Sequence, residues 1–239
     1  MSWFAPKLPV SPEAAAWIDR SMDWCLDQFG SAAVNGPVLV PDAAFFPHGY
    51  QGSERDIEEI LERVCRRMGV DRLDIDPIVI PADDEQALAQ LLTGHSQTVA
   101  GHFRLGDNGY EVAISQAQLS DPIAVAAVIA HELGHVRLLG ERRIDPDRRD
   151  GEQFTDLVTV ALGLGVFNAN ASFEFDQSAR GWQATRLGYL SEEMFGYALA
   201  WYARQRGERA PTWAGALDNN PRGYLKQTQR YFAANSRLS

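Results

Sequence analysis

The chain has 239 residues, enough to bury a hydrophobic core and compatible with one or two domains. With 45% hydrophobic and 23% charged residues, its composition excludes disordered, collagen-like and disulfide-scaffold chains. Thirty-two acidic against 22 basic residues give a net charge of −10, which argues against a general nucleic-acid binder, because phosphate contacts need a basic face. The charge is uneven: from Arg180 onward there are 9 bases and 4 acids (+5), leaving 13 bases and 28 acids (−15) in residues 1–179. Cys25 and Cys65, the only cysteines, lie in apolar helical patterns and are expected to be buried reduced thiols. No basic segment followed by a continuous apolar stretch opens the chain, and the apolar runs at 122–130 and 157–167 fall short of the roughly 18–20 residues of a membrane span. A cytoplasmic protein without membrane or nucleic-acid partners is expected.

Ser11-Pro12 starts a helix in which Ala14, Trp17, Ile18, Met22 and Cys25 recur at helical spacing, ending near Gly30. Residues 31–52, rich in proline and glycine, read as a loop whose Phe45 and Phe46 pack onto the core. Ser53 caps a second helix with an apolar stripe through Ile57, Ile60, Leu61, Val64, Cys65 and Met68, stopping before Gly69. A strand follows at Leu73–Ile80, and Asp83–Leu92 suggests a short helix. Thr98–Leu105 and Tyr110–Ser115, separated by Gly106-Asp107-Asn108-Gly109, predict an antiparallel hairpin. Ser120-Asp121-Pro122 opens a strongly apolar helix through about Leu139. A charged loop from Gly140 to Gly151 leads to a helix from about Glu152 to Val166, and further helical patterns lie near 191–206 and 221–233. No internal repeat is visible, so residues 1–239 read as one compact α+β unit. It comprises a helical and strand part (1–97), a central part (98–170) and a C-terminal helical extension (171–239).

The chemistry resides in His131-Glu132-Leu133-Gly134-His135. Residues four apart on a helix point the same way, so both imidazoles can reach one Zn2+ while Glu132 sits beside a water held by the metal. Zinc lowers the pKa of that water, and a carboxylate so placed can take its proton and deliver it to a leaving amine. With 5 His and 14 Glu in the chain, chance would produce about 0.006 such matches. Ile129, Leu133 and Val136 supply a separate apolar stripe to bury the helix.

A catalytic zinc usually has three protein ligands and an open position. Glu152 and Asp156 are four apart on the following helix, so one can ligate while the other holds a histidine by hydrogen bond. Glu141, six residues after His135, is a further candidate third ligand, although Leu138 stands where a turn-forming glycine would be wanted.

H-E-x-x-H followed by Glu-x-x-x-Asp on the next helix resembles the zincin metallopeptidases of the gluzincin pattern. The hairpin ahead of the motif helix and the HELGH sequence are distantly similar to the ImmA/IrrE-type intracellular metallopeptidases. The resemblance spans roughly residues 98–165. It implies a minimal zincin-like fold, with a small antiparallel or mixed sheet packed on the motif helix. It also implies zinc ligands at His131, His135 and Glu152, a general base at Glu132, and Asp156 supporting a histidine or, alternatively, itself ligating. In such proteins the strand before the motif helix is a sheet edge, so Tyr110–Ser115 would pair with an extended peptide.

Conceivable oxyanion donors are His102, Tyr189, Tyr197, Tyr224 and Arg180. His48 and His95 read as exposed or locally bonded, Trp182, Trp201 and Trp213 as core, and the Arg142-Arg143 and Arg148-Arg149 pairs as a solvated loop. The expected function is a zinc-dependent peptidase acting on a peptide or protein. The alternative is a non-catalytic metal-binding protein serving as a sensor or partner-binding module.

Overall fold

The computed structural model describes residues 6–81, 104–106, 109–178 and 190–235. Helix α1 spans Pro12–Val34 and is capped by the Ser11 side chain, which accepts from the Ala14 backbone N–H. It breaks at Gly30, whose φ of 79° only glycine adopts without strain, so the first run ends where the pattern stops. One further helical stretch then reaches Val34, inside the segment expected to be loop. In that segment Phe45 is buried against Phe167, with ring centroids 4.6 Å apart. Helix α2 spans Glu54–Met68 with a reciprocal capping box between Ser53 and Asp56, as its sequence dictates. Cys25 and Cys65 are free and buried, and burial pushes both thiols up, Cys65 to about 12, so neither is a reactive thiolate.

The expected strand at 73–80 starts later, at β1 Ile75–Ile80, because Asp71 caps a short helical turn over Arg72–Asp74. With β2 Arg104–Gly106 and β3 Gly109–Ser115, it forms a sheet of order β1-β3-β2. The short β2–β3 pairing is antiparallel, closing with Gly106 opposite Gly109, as the hairpin pattern predicts. The longer pairing is parallel, Ile75 to Ile80 against Tyr110 to Ser115. The sheet is therefore mixed rather than antiparallel, and β3 is its middle strand. β3 is therefore not the edge strand expected at Tyr110–Ser115: β1 pairs one side of it from Tyr110 to Ser115, and β2 pairs the other side from Gly109 to Glu111, where a peptide cannot add. The misreading has a simple cause. Local turn chemistry announces a hairpin, whereas a parallel partner 35 positions upstream leaves no local mark. The expected helix at 83–92, and residues 98–103 of the hairpin, lie outside the described residues.

Helix α3 spans Pro122–His135, with Asp121 accepting from Ile123 N–H at its start, and winds one wider turn over Val136–Gly140. Every residue from Ala124 to His135 is buried, not one stripe alone. Its many alanines let α2, β3, helix α4 (Gly151–Ala161) and helix α5 (Gly165–Ser178) close around it. As a 19-residue unit, Pro122–Gly140 is long and apolar enough to cross a membrane by length and composition, yet most of it is buried inside the protein, as in a core helix.

The helix expected at 152–166 is two helices. Gly163, at φ 75°, breaks it, and a Cβ there would meet the Pro37 carbonyl oxygen at 2.7 Å. Helix α5 escaped notice because Val166, Phe167, Ala169 and Ala171 are buried together with Asn168 and Asn170, so no polar face alternates with an apolar one. The two asparagines donate to the carbonyls of Ala127 and Ala216, and Asn170 also accepts from the Asp218 backbone N–H, whereas Asn168 Oδ1 has no partner among the described residues.

Helix α6, Glu192–Gln205, is capped by Ser191 and packs on α1, α4 and α5, while α7, Asn219–Asn235, covers it. Phe195, Tyr197, Trp201 and Tyr202 are nearly or wholly buried, and all belong to one apolar cluster with α1 to α5. The expected C-terminal extension is thus part of the core rather than an addition to it.

Candidate metal centre

The motif falls on the last turn of α3, and its two histidines share a face as their spacing requires. Asp150 precedes α4, whose first turns carry Glu152, Thr155 and Asp156 toward that face. The helices approach closely because position 134 has no side chain: a Cβ there would lie 2.7 Å from Thr155 Cγ2. Gly134→Ala is expected to force α4 outward. The roughly 1 kcal/mol gained in helix propensity is outweighed by an overpacking cost of about 1–3 kcal/mol, and metal binding should weaken with it. Thermal unfolding and metal titration of that variant measure the two effects.

Glu152 Oε2 lies 3.0 Å from His131 Nε2 and 3.4 Å from His135 Nε2, so both imidazoles present the same ring nitrogen to one carboxylate. The ligand atoms of His131, His135 and Glu152 all lie within 4.8 Å of one another. On the other side of His131, Nδ1 is 2.8 Å from Asp156 Oδ1, and the second oxygen of Asp156 accepts from the Leu190 backbone N–H at 3.0 Å. His135 Nδ1 meets Thr155 Oγ1 at 3.3 Å.

Both histidines and Asp156 are buried, and Glu152 is the partly open member. Burial by itself would depress the His131 pKa, but the Asp156 and Glu152 carboxylates outweigh it and hold the imidazole well above its ordinary value. Burial likewise opposes ionisation of Glu152, yet hydrogen bonds from His131 and His135 keep its carboxyl far below the usual range. Glu132 is buried too, and its Oε2 has no hydrogen-bond partner among the described residues. An orphaned buried acceptor typically costs about 1–3 kcal/mol, the kind of expense a fold retains at functional positions. Beside the cluster lies a small cavity of about 90 Å³, bounded by His135, Leu139, Ile144, Arg149, Glu152 and Thr155.

Of the candidate third ligands, Glu152 reaches the Nε2 atoms, whereas Asp156 is engaged with His131 Nδ1 and Leu190. Glu141 is tied between Arg137 and Arg143, each at 2.6 Å, and takes no part in the cluster. Among the suggested oxyanion donors, Tyr197 donates to Asp19 at 3.0 Å, and burial first, then Asp19, pushes its phenol pKa up. Tyr224 is engaged with Glu193, while His102, Tyr189 and Arg180 lie outside the described residues, as do His95 and Trp182. His48 is exposed, and Trp201 and Trp213 are core, as expected.

The loop arginines are not merely solvated. Arg148 pairs with Asp150 and lies 3.9 Å from the Phe154 ring centroid, and Arg143 bonds the Gln28 carbonyl at 3.2 Å. Sequence reasoning missed Thr155. The available signal was its place three residues after Glu152 and beside Asp156, a polar residue on the same helical face in an otherwise apolar stretch.

Comparison with protein families, curated proteins and solved structures yields no match for this chain. The case for a metal rests on the donor set. Two imidazoles and a carboxylate, close together with a nearby buried carboxylate that has one oxygen unpartnered among the described residues, fit a divalent transition ion, and His131, His135 and Glu152 are the residues that could hold it.

Proposed function

We propose that this chain is a zinc-dependent metallopeptidase of the zincin type, gluzincin-like in its ligand set, that hydrolyses peptide bonds in a peptide or protein substrate in the cytoplasm. The observation that supports it is the convergence of His131, His135 and Glu152 from two helices, with Glu132 in the same turn as the histidines and one of its oxygens unpartnered among the described residues. Zinc held by the three ligands supplies a Lewis acid and a bound water of lowered pKa. Glu132 acts as general base, accepting a proton on its carboxylate and passing it to the departing amine. Asp156 keeps the His131 proton on Nδ1, which leaves Nε2 free to ligate. Glu152, carrying negative charge, offsets part of the ion's charge, and the cavity beside it leaves room for a substrate group.

The test pairs metal analysis with hydrolysis of unstructured peptides by the purified chain. Zinc-dependent cleavage that a chelator abolishes is expected, and His131→Ala should lose both zinc and activity. Cleavage indifferent to chelation would overturn the proposal. Stoichiometric zinc binding without hydrolysis of any peptide would select the alternative, a non-catalytic metal-binding sensor or partner-binding module.

A further inference from the structure

We infer that Thr155 is a positioning residue that fixes the ring of His135 for metal binding, so that one helix, α4, supplies both a ligand and the acceptor that orients each histidine. The inference rests on the metal-site reading above. Thr155 is completely buried, and its hydroxyl lies between two groups: the Gly151 carbonyl oxygen at 2.9 Å and His135 Nδ1 at 3.3 Å. A threonine hydroxyl has one proton to donate and lone pairs to accept with. The Gly151 carbonyl can only accept, so the hydroxyl proton goes there. The remaining lone pairs then face His135 Nδ1, which must carry a hydrogen to make the contact favourable. Nε2 of His135 is thereby left with its lone pair directed to the side where Glu152 and His131 Nε2 lie.

The arrangement repeats that of the neighbouring residue. Asp156 accepts on Nδ1 of His131, and Thr155 accepts on Nδ1 of His135, with Glu152 one turn earlier. The two acceptors differ in charge. A full carboxylate stands behind the first imidazole and a neutral hydroxyl behind the second, which limits the number of negative charges buried around one ion. The missing Cβ at position 134 belongs to the same device, because it is the Thr155 methyl that occupies that space.

Three variants of the full chain test this, with zinc affinity measured by competition against a chromophoric chelator and ligand geometry by the visible spectrum of the cobalt(II)-loaded protein. Thr155→Val keeps the shape but removes the hydroxyl, and should weaken zinc binding about 10- to 100-fold and change the cobalt spectrum. Thr155→Ser keeps the hydroxyl and should stay within about 3-fold of the parent, a margin far below the loss of an orienting partner. Thr159→Val removes another wholly buried threonine hydroxyl, one that donates to the Asp156 backbone carbonyl at 2.7 Å rather than bonding a histidine, and should leave zinc affinity unchanged.

Parental affinity and spectrum in Thr155→Val would overturn the inference while leaving the metal site standing. A loss in Thr155→Ser equal to that in Thr155→Val would also overturn it, since the methyl packing and not the hydroxyl would then matter. An equal loss in Thr159→Val would assign the effect to helix stability and overturn it as well. Zinc bound unchanged by His131→Ala would instead overturn the metal-site reading itself, and this inference with it.

Discussion

Glu132→Gln is expected to leave zinc bound and the fold intact while peptide hydrolysis falls by about 10²- to 10⁴-fold, the usual contribution of a positioned general base. That range corresponds to roughly 2.7–5.5 kcal/mol of transition-state stabilisation, far above assay error. The substitution isolates proton transfer for two reasons. Glu132 is absent from the cluster formed by His131, His135 and Glu152, so the ligand set is untouched. Gln has nearly the same shape, and removing charge from a buried side chain whose Oε2 has no partner should not lower the unfolding temperature. Turnover on unstructured peptides, read with zinc content and thermal unfolding on the same preparation, separates the outcomes. Unchanged turnover would remove Glu132 from the mechanism.

Truncation after Ala171 is expected to unfold the protein. The segment removed includes Leu190, Phe195, Tyr197, Leu199, Trp201 and Tyr202, each at most 3% exposed. Burying one such side chain contributes about 1.5–3 kcal/mol. Together they rival the entire stability of an ordinary domain, roughly 5–15 kcal/mol. The same cut also removes the Leu190 N–H that anchors Asp156, the residue orienting His131. Circular dichroism and denaturant titration of the truncated chain should show loss of cooperative unfolding. A cooperatively folded product would show that α6 is dispensable to the core.

The basic C-terminal part is built into the core. Several of its charges are consumed in packing: Arg206 bonds the carbonyls of Val34 and Gly36 and pairs with Glu208, and Arg204 stacks over Phe232 with its guanidinium 4.2 Å from the ring centroid. The charge asymmetry noted in the sequence is in part a record of residues that tie the end of α6 to α1 and to α7.

Where a signal is local, it was legible. Ser11, Ser53 and Asp121 cap helices where their residue types and the following patterns place them, because a cap acts on backbone groups two or three residues away. His131 and His135 share a face because four residues make about one turn. Glu152 and Asp156 were recognised as a pair sharing a face for the same reason. Readings failed where the cause was distant. The parallel partner of β3 lies in β1, the break at Gly163 is matched to Pro37 and Arg67, and α5 is buried by α3, α4 and α6 with Phe45 against its Phe167.

Short-range periodicity and side-chain chemistry are enough to place the motif, its helix and the two acidic residues that follow it. Tertiary packing sets those acids apart. It set Glu152 toward the Nε2 atoms and Asp156 behind His131, and it recruited Thr155 behind His135. The physical reason is the approach of α3 to α4, which depends on a missing methyl at Gly134 and on a core extending to α6. A helix carries its face with it, but which atoms that face meets is fixed by the packing of everything else.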